Sequence, residues 1–249
     1  MTKSFLSKRC GEVILGSLLG DGSLKIHPGY KNARFSFRHS VKQREYFFWK
    51  LGQLKEISGE KCWWLQTKNE LGGDKLRYQS LALESLTELY TLTRKRGKLR
   101  IRRKWLNMLT PLSLAVWWLD DGSLITNSRR GVLCTDSFSY EEQKLLVRYL
   151  NKAWNVKAAI GKIHRKWKGG ENEYYRLWIR SSEELQKLLR IIMPHIKIAS
   201  MLSKVLLMYK NVDLQQRWIS EVRQATGFSQ AVIEKYLVEK KSRWKNFRK

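Results

Sequence analysis

The chain has 249 residues, enough for one large domain or two small ones, and 43% of them are apolar, enough for a core. Lys and Arg number 49 against 22 acids, a formal net charge of +27. Self-repulsion of that size is expected only where a polyanion offsets it, so nucleic acid is the expected partner. No run approaches the ~18 apolar residues of a membrane span. Cys10, Cys62 and Cys134 lie too far apart for a zinc site or a disulfide framework. These features predict an intracellular protein of the cytoplasm or an organelle matrix, with no secretion signal and no membrane partner.

In chain order, a first apolar helix runs into LLGDGSL (18–24), and the same phrase returns as WLDDGSL (118–124) after LSLAVW. The glycine behind each acid, Gly22 or Gly122, is expected to stop its helix in a left-handed conformation. Strands follow. ARFSFRHS alternates, with Phe35 and Phe37 on one face and Arg34, Ser36 and Arg38 on the other; GVLCTDSF is its counterpart. Helix starts with capping-box spelling come next, Ser40 to Gln43 before REYFFWKLGQL and Ser139 to Glu142 before QKLLVRYLNKAW. KCWWLQT and KLRYQSL, then AAIGKIHRK and YYRLWIRS, supply two more strands per copy. LESLTELYTLT and SEELQKLLRIIM, the latter capped from Ser181, close each copy with a helix. Both copies end in basic stretches, RKRGKLRIRRK with Lys98 and ASMLSKVLLMYK with Lys204.

The order helix, two strands, helix, two strands, helix is therefore written twice. It divides the chain into a first repeat over 1–108, a second over 109–220 and a basic helical tail over 221–249. The tail reads as two short helices around Gly227, a plain hairpin capping the second copy in preference to a helix-turn-helix. If helices cover one side of each sheet, the free side carries Ser23, Lys25, Arg34, Ser36, Arg38, Arg77 and Gln79 in the first copy. In the second it carries Ser123, Lys162, His164, Arg176 and Arg180. Such side chains bond phosphates and base edges.

One acid at a helix end carries little information; two at equivalent points of a repeat carry more. Gly16 and Gly20 lie on one helical face, where a second backbone can approach. Asp21 and Asp121 would then emerge side by side at the helix ends. Two such carboxylates repel unless a cation stands between them, either a basic side chain or Mg²⁺. Beside a phosphate-binding surface, that arrangement points to phosphodiester hydrolysis. Lys98 and Lys204 are candidates to stabilise phosphate charge or arrange the water.

ILGSLLGDG (14–22) and LAVWWLDDG (114–122) resemble the two motifs of a single-chain LAGLIDADG homing endonuclease, the second in the manner of the intron-encoded branch. The likeness runs from about residue 8 to 210. It implies an α+β fold of two pseudo-symmetric αββαββα repeats, with a saddle of antiparallel sheets and the motif helices packed at its centre. It further implies that the last acid of each motif, Asp21 and Asp121, binds divalent metal, with Gly20 and Asp120 in the same set. The metal is Mg²⁺, with Mn²⁺ or Ca²⁺ able to substitute in binding. Lys98 and Lys204 stand where the family has basic catalytic residues. The implied activity is hydrolysis of both strands of double-stranded DNA, leaving short 3′ overhangs and promoting intron mobility. Unlike halves in one chain suit a monomer and a long, non-palindromic site. The departures are Val116 for Gly16 and Asp120 for Gly20, an extra acid to which the sequence assigns no separate role. The rival readings are an RNA maturase that acts on its own intron RNA and a DNA-binding regulator without the chemistry.

Overall fold

The structure is a computed structural model and describes residues 6–67, 73–125, 129–167 and 170–243. It divides into two units, Met1–Asp120 and Asp121–Lys249. The first unit takes in the second motif helix up to Asp120.

The first unit opens with α1 (Lys8–Leu18), capped by the Ser7 hydroxyl and buried along Val13 to Leu18. It continues with β1 (Ser23–Lys25), β2 (Arg34–Ser40), α2 (Arg44–Gln53), β3 (Trp63–Gln66), β4 (Lys75–Gln79) and α3 (Glu84–Thr93). A small hairpin, β5 (Arg94–Lys95) and β6 (Lys98–Leu99), and a short helix α4 (Arg103–Leu106) lead to α5 (Pro111–Asp121). The second unit holds β7 (Gly122–Ile125), β8 (Arg130–Leu133), α6 (Tyr140–Trp154), β9 (Ala159–Trp167), β10 (Gly170–Ile179) and α7 (Ser182–Ile192). A 3-10 helix over Ala199–Lys204 follows, then α8 (Val212–Thr226) and α9 (Gln230–Ser242). The αββαββα order read from the sequence is thus present twice.

Each repeat folds its four strands into an antiparallel sheet of the same topology, β1-β2-β4-β3 and β7-β8-β10-β9. In β2 the predicted alternation holds: Phe35, Phe37 and His39 are buried, while Arg34, Ser36 and Arg38 take the other face. Leu76 and Tyr78 of β4 join the buried face, where Phe37 stacks on Tyr78 at 5.0 Å. In β10 the helix-covered face holds Leu177 and Ile179, with Tyr175 against Tyr140 of α6.

Local signals differ from expectation at three places. Neither Gly22 nor Gly122 is left-handed; among the described residues the positive-φ glycines are 29, 97, 170 and 227. Gly22 is required by close approach instead: its N–H donates to the Ser17 carbonyl at 2.6 Å, and a Cβ there would stand 2.7 Å from the Ser17 Cβ. Ser139 and Glu142 make a complete capping box. Ser40, however, caps a 3-10 turn over Val41–Gln43 that precedes α2. Ser181 caps α7 through Glu183, while Glu184 turns away to accept from the Lys157 N–H.

Beyond the second repeat, helix α8 begins at Val212. Gly227 ends α8 in the left-handed region, and Ser229 caps α9. α8 and α9 pack on each other, and α9 packs on the 3-10 helix that carries Lys204. Among the described residues no helix is long and apolar enough to cross a membrane.

Candidate active site and nucleic-acid interface

Gly16 and Gly20 have the role expected of them within the first unit. A Cβ on Gly16 would stand 2.9 Å from the Ser113 Cα of α5 and closer still to its carbonyl oxygen. A Cβ on Gly20 would meet the Asp120 Cβ at 2.6 Å. The Ser113 hydroxyl donates to the Glu12 carbonyl at 2.9 Å, fixing the contact of α5 on α1.

That packing delivers Asp120 into a buried polar cluster. Lys50 of α2, in the apolar run YFFWKL, donates to both Asp120 oxygens at 2.7 and 2.9 Å. Neither side chain reaches water. The Tyr46 hydroxyl donates to Asp120 Oδ1 at 2.7 Å, and burial followed by the Asp120 charge holds that phenol well above its usual range. The Lys50 ammonium also lies over the Phe37 and Tyr46 rings, at 4.8 and 5.0 Å. Burial on this scale is tolerated because each charge finds its opposite at hydrogen-bond distance.

Asp21 sits at the edge of the cluster with its side chain 40% exposed. Its N–H donates to Asp120 Oδ2 at 3.4 Å. His39, buried on β2, places Nδ1 3.4 Å from Asp21 Oδ2 and Nε2 3.9 Å from Asp120 Oδ1, with neither nitrogen in a hydrogen bond of normal geometry. Burial, then the Lys50 charge, lowers the imidazole pKa against the opposing pull of the two acids. Asp21, His39 and Asp120 offer ligand atoms within 4.8 Å of one another, a spacing that a metal ion could bridge. Their chemistry is unequal. Asp21 presents a carboxylate to solvent, whereas the Asp120 oxygens are committed to Lys50 and Tyr46.

Asp21 also lines a polar groove of about 500 Å³ on the free face of the first sheet, with Ser23, Lys25, Arg38, Trp64, Arg77 and Gln79. The register aligns these groups in rows: Ser23 with Ser36 and Gln79, Lys25 with Arg34, and Arg38 with Arg77 and Trp64. The sequence-predicted set of the first copy therefore shares one face. Trp64 is the member that sequence reasoning missed; it lies 5.6 Å from the Arg77 guanidinium. A second cavity, about 260 Å³, lies beside the N-terminal part of α1 and holds none of the predicted groups.

In the second unit the predicted set is split. Directly opposed residues share a face, and β10 sets Tyr175 against Lys162 and Glu173 against His164. Lys162 and His164 therefore lie on the face of Tyr175, not with Arg176, and each pairs with an acid there, Glu173 and Glu171 respectively. Arg176 and Ser123 take the free face, and Arg180 follows β10 in an exposed position. Arg176 donates from Nε and NH2 to the two oxygens of Asp136 at 2.6 and 2.8 Å, and Arg165 donates to the same acid at 2.7 Å. The hydrogen bond from Arg176 holds the Asp136 carboxyl below its usual range.

Lys98 and Lys204 each lie beyond the last helix of their repeat, Lys98 in a hairpin and Lys204 at the end of a 3-10 helix. The exposed Lys98 hairpin turns on left-handed Arg96 and Gly97, and Arg94 ties it down by donating to the Leu24 carbonyl of β1 at 2.6 Å. The 3-10 helix that ends at Lys204 packs on β7. Each lysine is thus anchored to the strand that follows the motif acid of its own repeat. The Asp121 carbonyl accepts from the Cys134 N–H at 3.1 Å. The Cys134 thiol, raised mainly by burial, also feels Arg176, Asp121, Asp136 and Lys204.

A profile of the LAGLIDADG DNA endonuclease family matches residues 11–188. The chain belongs to this family. Among solved structures it is similar to the homing endonuclease I-WcaI bound to its DNA recognition sequence, with a TM-score of 0.67 and 24% identity over 83% of this chain and 89% of that one. That likeness carries the LAGLIDADG fold. Among curated relatives, RecA of Mycobacterium gastri is 31% identical over 63% of this chain and 39% of its own length. The cytochrome b mRNA maturase bI2 of Saccharomyces cerevisiae is 26% identical over 74% and 44%. That of Debaryomyces hansenii is 26% identical over 77% and 71%. The chain thus spans less than half the length of the first two.

Proposed function

We propose that the chain is a site-specific endonuclease that hydrolyses both strands of double-stranded DNA with divalent metal, acting as a monomer on a long, non-palindromic site and promoting intron mobility. The observation that supports this most is a doubled relationship. In each repeat a motif acid stands between an apolar helix and the first strand of an open-faced sheet, and a lysine is tied to that same strand. Asp21 and Asp121 are the metal-binding carboxylates of the reading. Asp21 fits a hard, oxygen-seeking ion such as Mg²⁺, being an exposed carboxylate on a polar groove. Asp120 acts as the counter-ion of Lys50 and not as a ligand. When bound, the metal stabilises the attacking and leaving oxygens. The arginines and serines of the free faces bind and orient the duplex, and Lys98 and Lys204 stabilise phosphate charge and hold the water.

The test is cleavage of a site selected from a randomised duplex library, with Mg²⁺. Asp21→Asn and Asp121→Asn should abolish cleavage while binding stays within a few fold of wild type. Two variants that still cut would remove the acids from the mechanism.

A second reading, an RNA maturase acting on its host intron, is favoured by the similarity to the two bI2 maturases. It predicts that Asp21→Asn still promotes splicing of the intron RNA. A chain that cuts DNA and leaves splicing unchanged is an endonuclease alone.

A further inference from the structure

The two free faces handle their arginines differently. On the first sheet Arg38 stands directly across from Arg77, and among the described residues no carboxylate pairs with either. On the second, Arg176 and Arg165 converge on Asp136, in the loop after β8. Asp136 and Arg176 are each about one-fifth exposed, whereas Arg165 is mostly exposed. An acid on a surface that meets a polyanion weakens the attraction that a net charge of +27 supplies. Affinity therefore does not explain Asp136; geometry does.

Arg176 is fixed by more than the ion pair. Its cross-strand partner is Gly161, and a side chain there would run into the Trp178 indole, which fills the position beside the arginine stem. The bidentate bond occupies the Nε–NH2 edge of the guanidinium. The outer edge, NH1 with the second NH2 proton, remains a two-donor fork of the spacing that matches guanine O6 and N7. An arginine already held in that pose loses little freedom when it binds.

We infer that Arg176 is a guanine-reading residue for the DNA half-site on the second sheet, and that Asp136 is a positioning residue that aims it. The inference rests on the DNA-binding part of the proposed function and deepens it. A phosphate would also accept the outer fork, but a phosphate contact carries no sequence preference.

The experiment is a binding selection on a randomised duplex library with wild type, Asp136→Ala, Asp136→Asn and Arg176→Lys, each checked for folding by its melting curve. Wild type should enrich a G·C pair at one position. Asp136→Ala and Arg176→Lys should each lose preference at that position alone, by roughly 5- to 150-fold. Asp136→Ala should bind non-specific DNA at least as well as wild type, and Asp136→Asn should fall between the two. A merely structural ion pair would instead weaken every sequence equally and leave the consensus unchanged, which overturns the inference. So does a wild-type chain that enriches no consensus. The selection needs no cleavage: a chain that selects a site and fails to cut it with Mg²⁺ defeats the endonuclease reading and leaves this inference standing.

Discussion

The Lys50 ammonium stands 2.7 and 2.9 Å from the two oxygens of Asp120, and neither side chain is open to water. Removing one partner strands the other charge in the core. Asp120→Ala or Lys50→Met should each cost about 3–5 kcal/mol in urea denaturation. The double variant Lys50→Met, Asp120→Leu should be less damaging than either single change, because it leaves no buried charge. A loss under about 1 kcal/mol for both single variants would mean that water reaches the pair.

Gly16 and Gly11 lie on the same helix and predict opposite outcomes. Gly16→Ala pushes a methyl into the Ser113 backbone and should destabilise by about 1–3 kcal/mol. Gly11 has nothing within 4 Å of an added Cβ, so Gly11→Ala should be neutral or gain up to about 1 kcal/mol from lower chain entropy. Thermal melting of the pair checks the close approach of α5 to α1.

Lys240 gives a pH signature. Its amine donates to the Ser203 and Leu206 carbonyls at 2.5 and 2.9 Å, and burial pushes its pKa down to about 7. An unfolded lysine titrates at about 10.4, so between these values the unfolded chain holds a proton that the folded chain has released, and stability rises with pH. Below about 7 both states are charged and the burial cost is present in full. Against Lys240→Met, wild type should therefore gain roughly 1 kcal/mol of relative stability per pH unit between about 7.5 and 9.5. Denaturant titrations across that range check it; a flat difference would contradict the depressed pKa.

Lys98→Ala and Lys204→Ala should slow single-turnover cleavage by about 10²-fold or more while weakening binding only a few fold. Equal losses in rate and affinity would make both lysines ordinary phosphate contacts.

The sequence made the repeat, its element order and the first sheet's polar face legible, because those signals are local. In β2, apolar and polar residues keep one phase over seven positions. β9 keeps no phase: Lys162, His164 and Arg165 put charge on both faces, so alternation misplaced the first two, and only pairing with β10 resolved them. The partners of Asp120 were illegible for another reason. Lys50 and Tyr46 lie some 70 residues away, in a helix whose one buried lysine is hidden among aromatics. Asp136 was hidden likewise, in a segment read as strand that the structure makes a loop after Leu133.

The position of Asp120 bears on how such a chain can be rebuilt. Repeats of one sequence pattern invite exchange, with the first half of one protein joined to the second half of another at the boundary near residue 108. Here that cut would leave behind Lys50 and Tyr46 and carry off the acid that neutralises the one and accepts from the other. A chimera built from this first half needs an incoming motif helix with an acid beside its metal-binding one, or a Lys50 replaced by an uncharged residue. The doubled acid of WLDDGSL is thus a compatibility requirement between halves, written in the second repeat on behalf of the first.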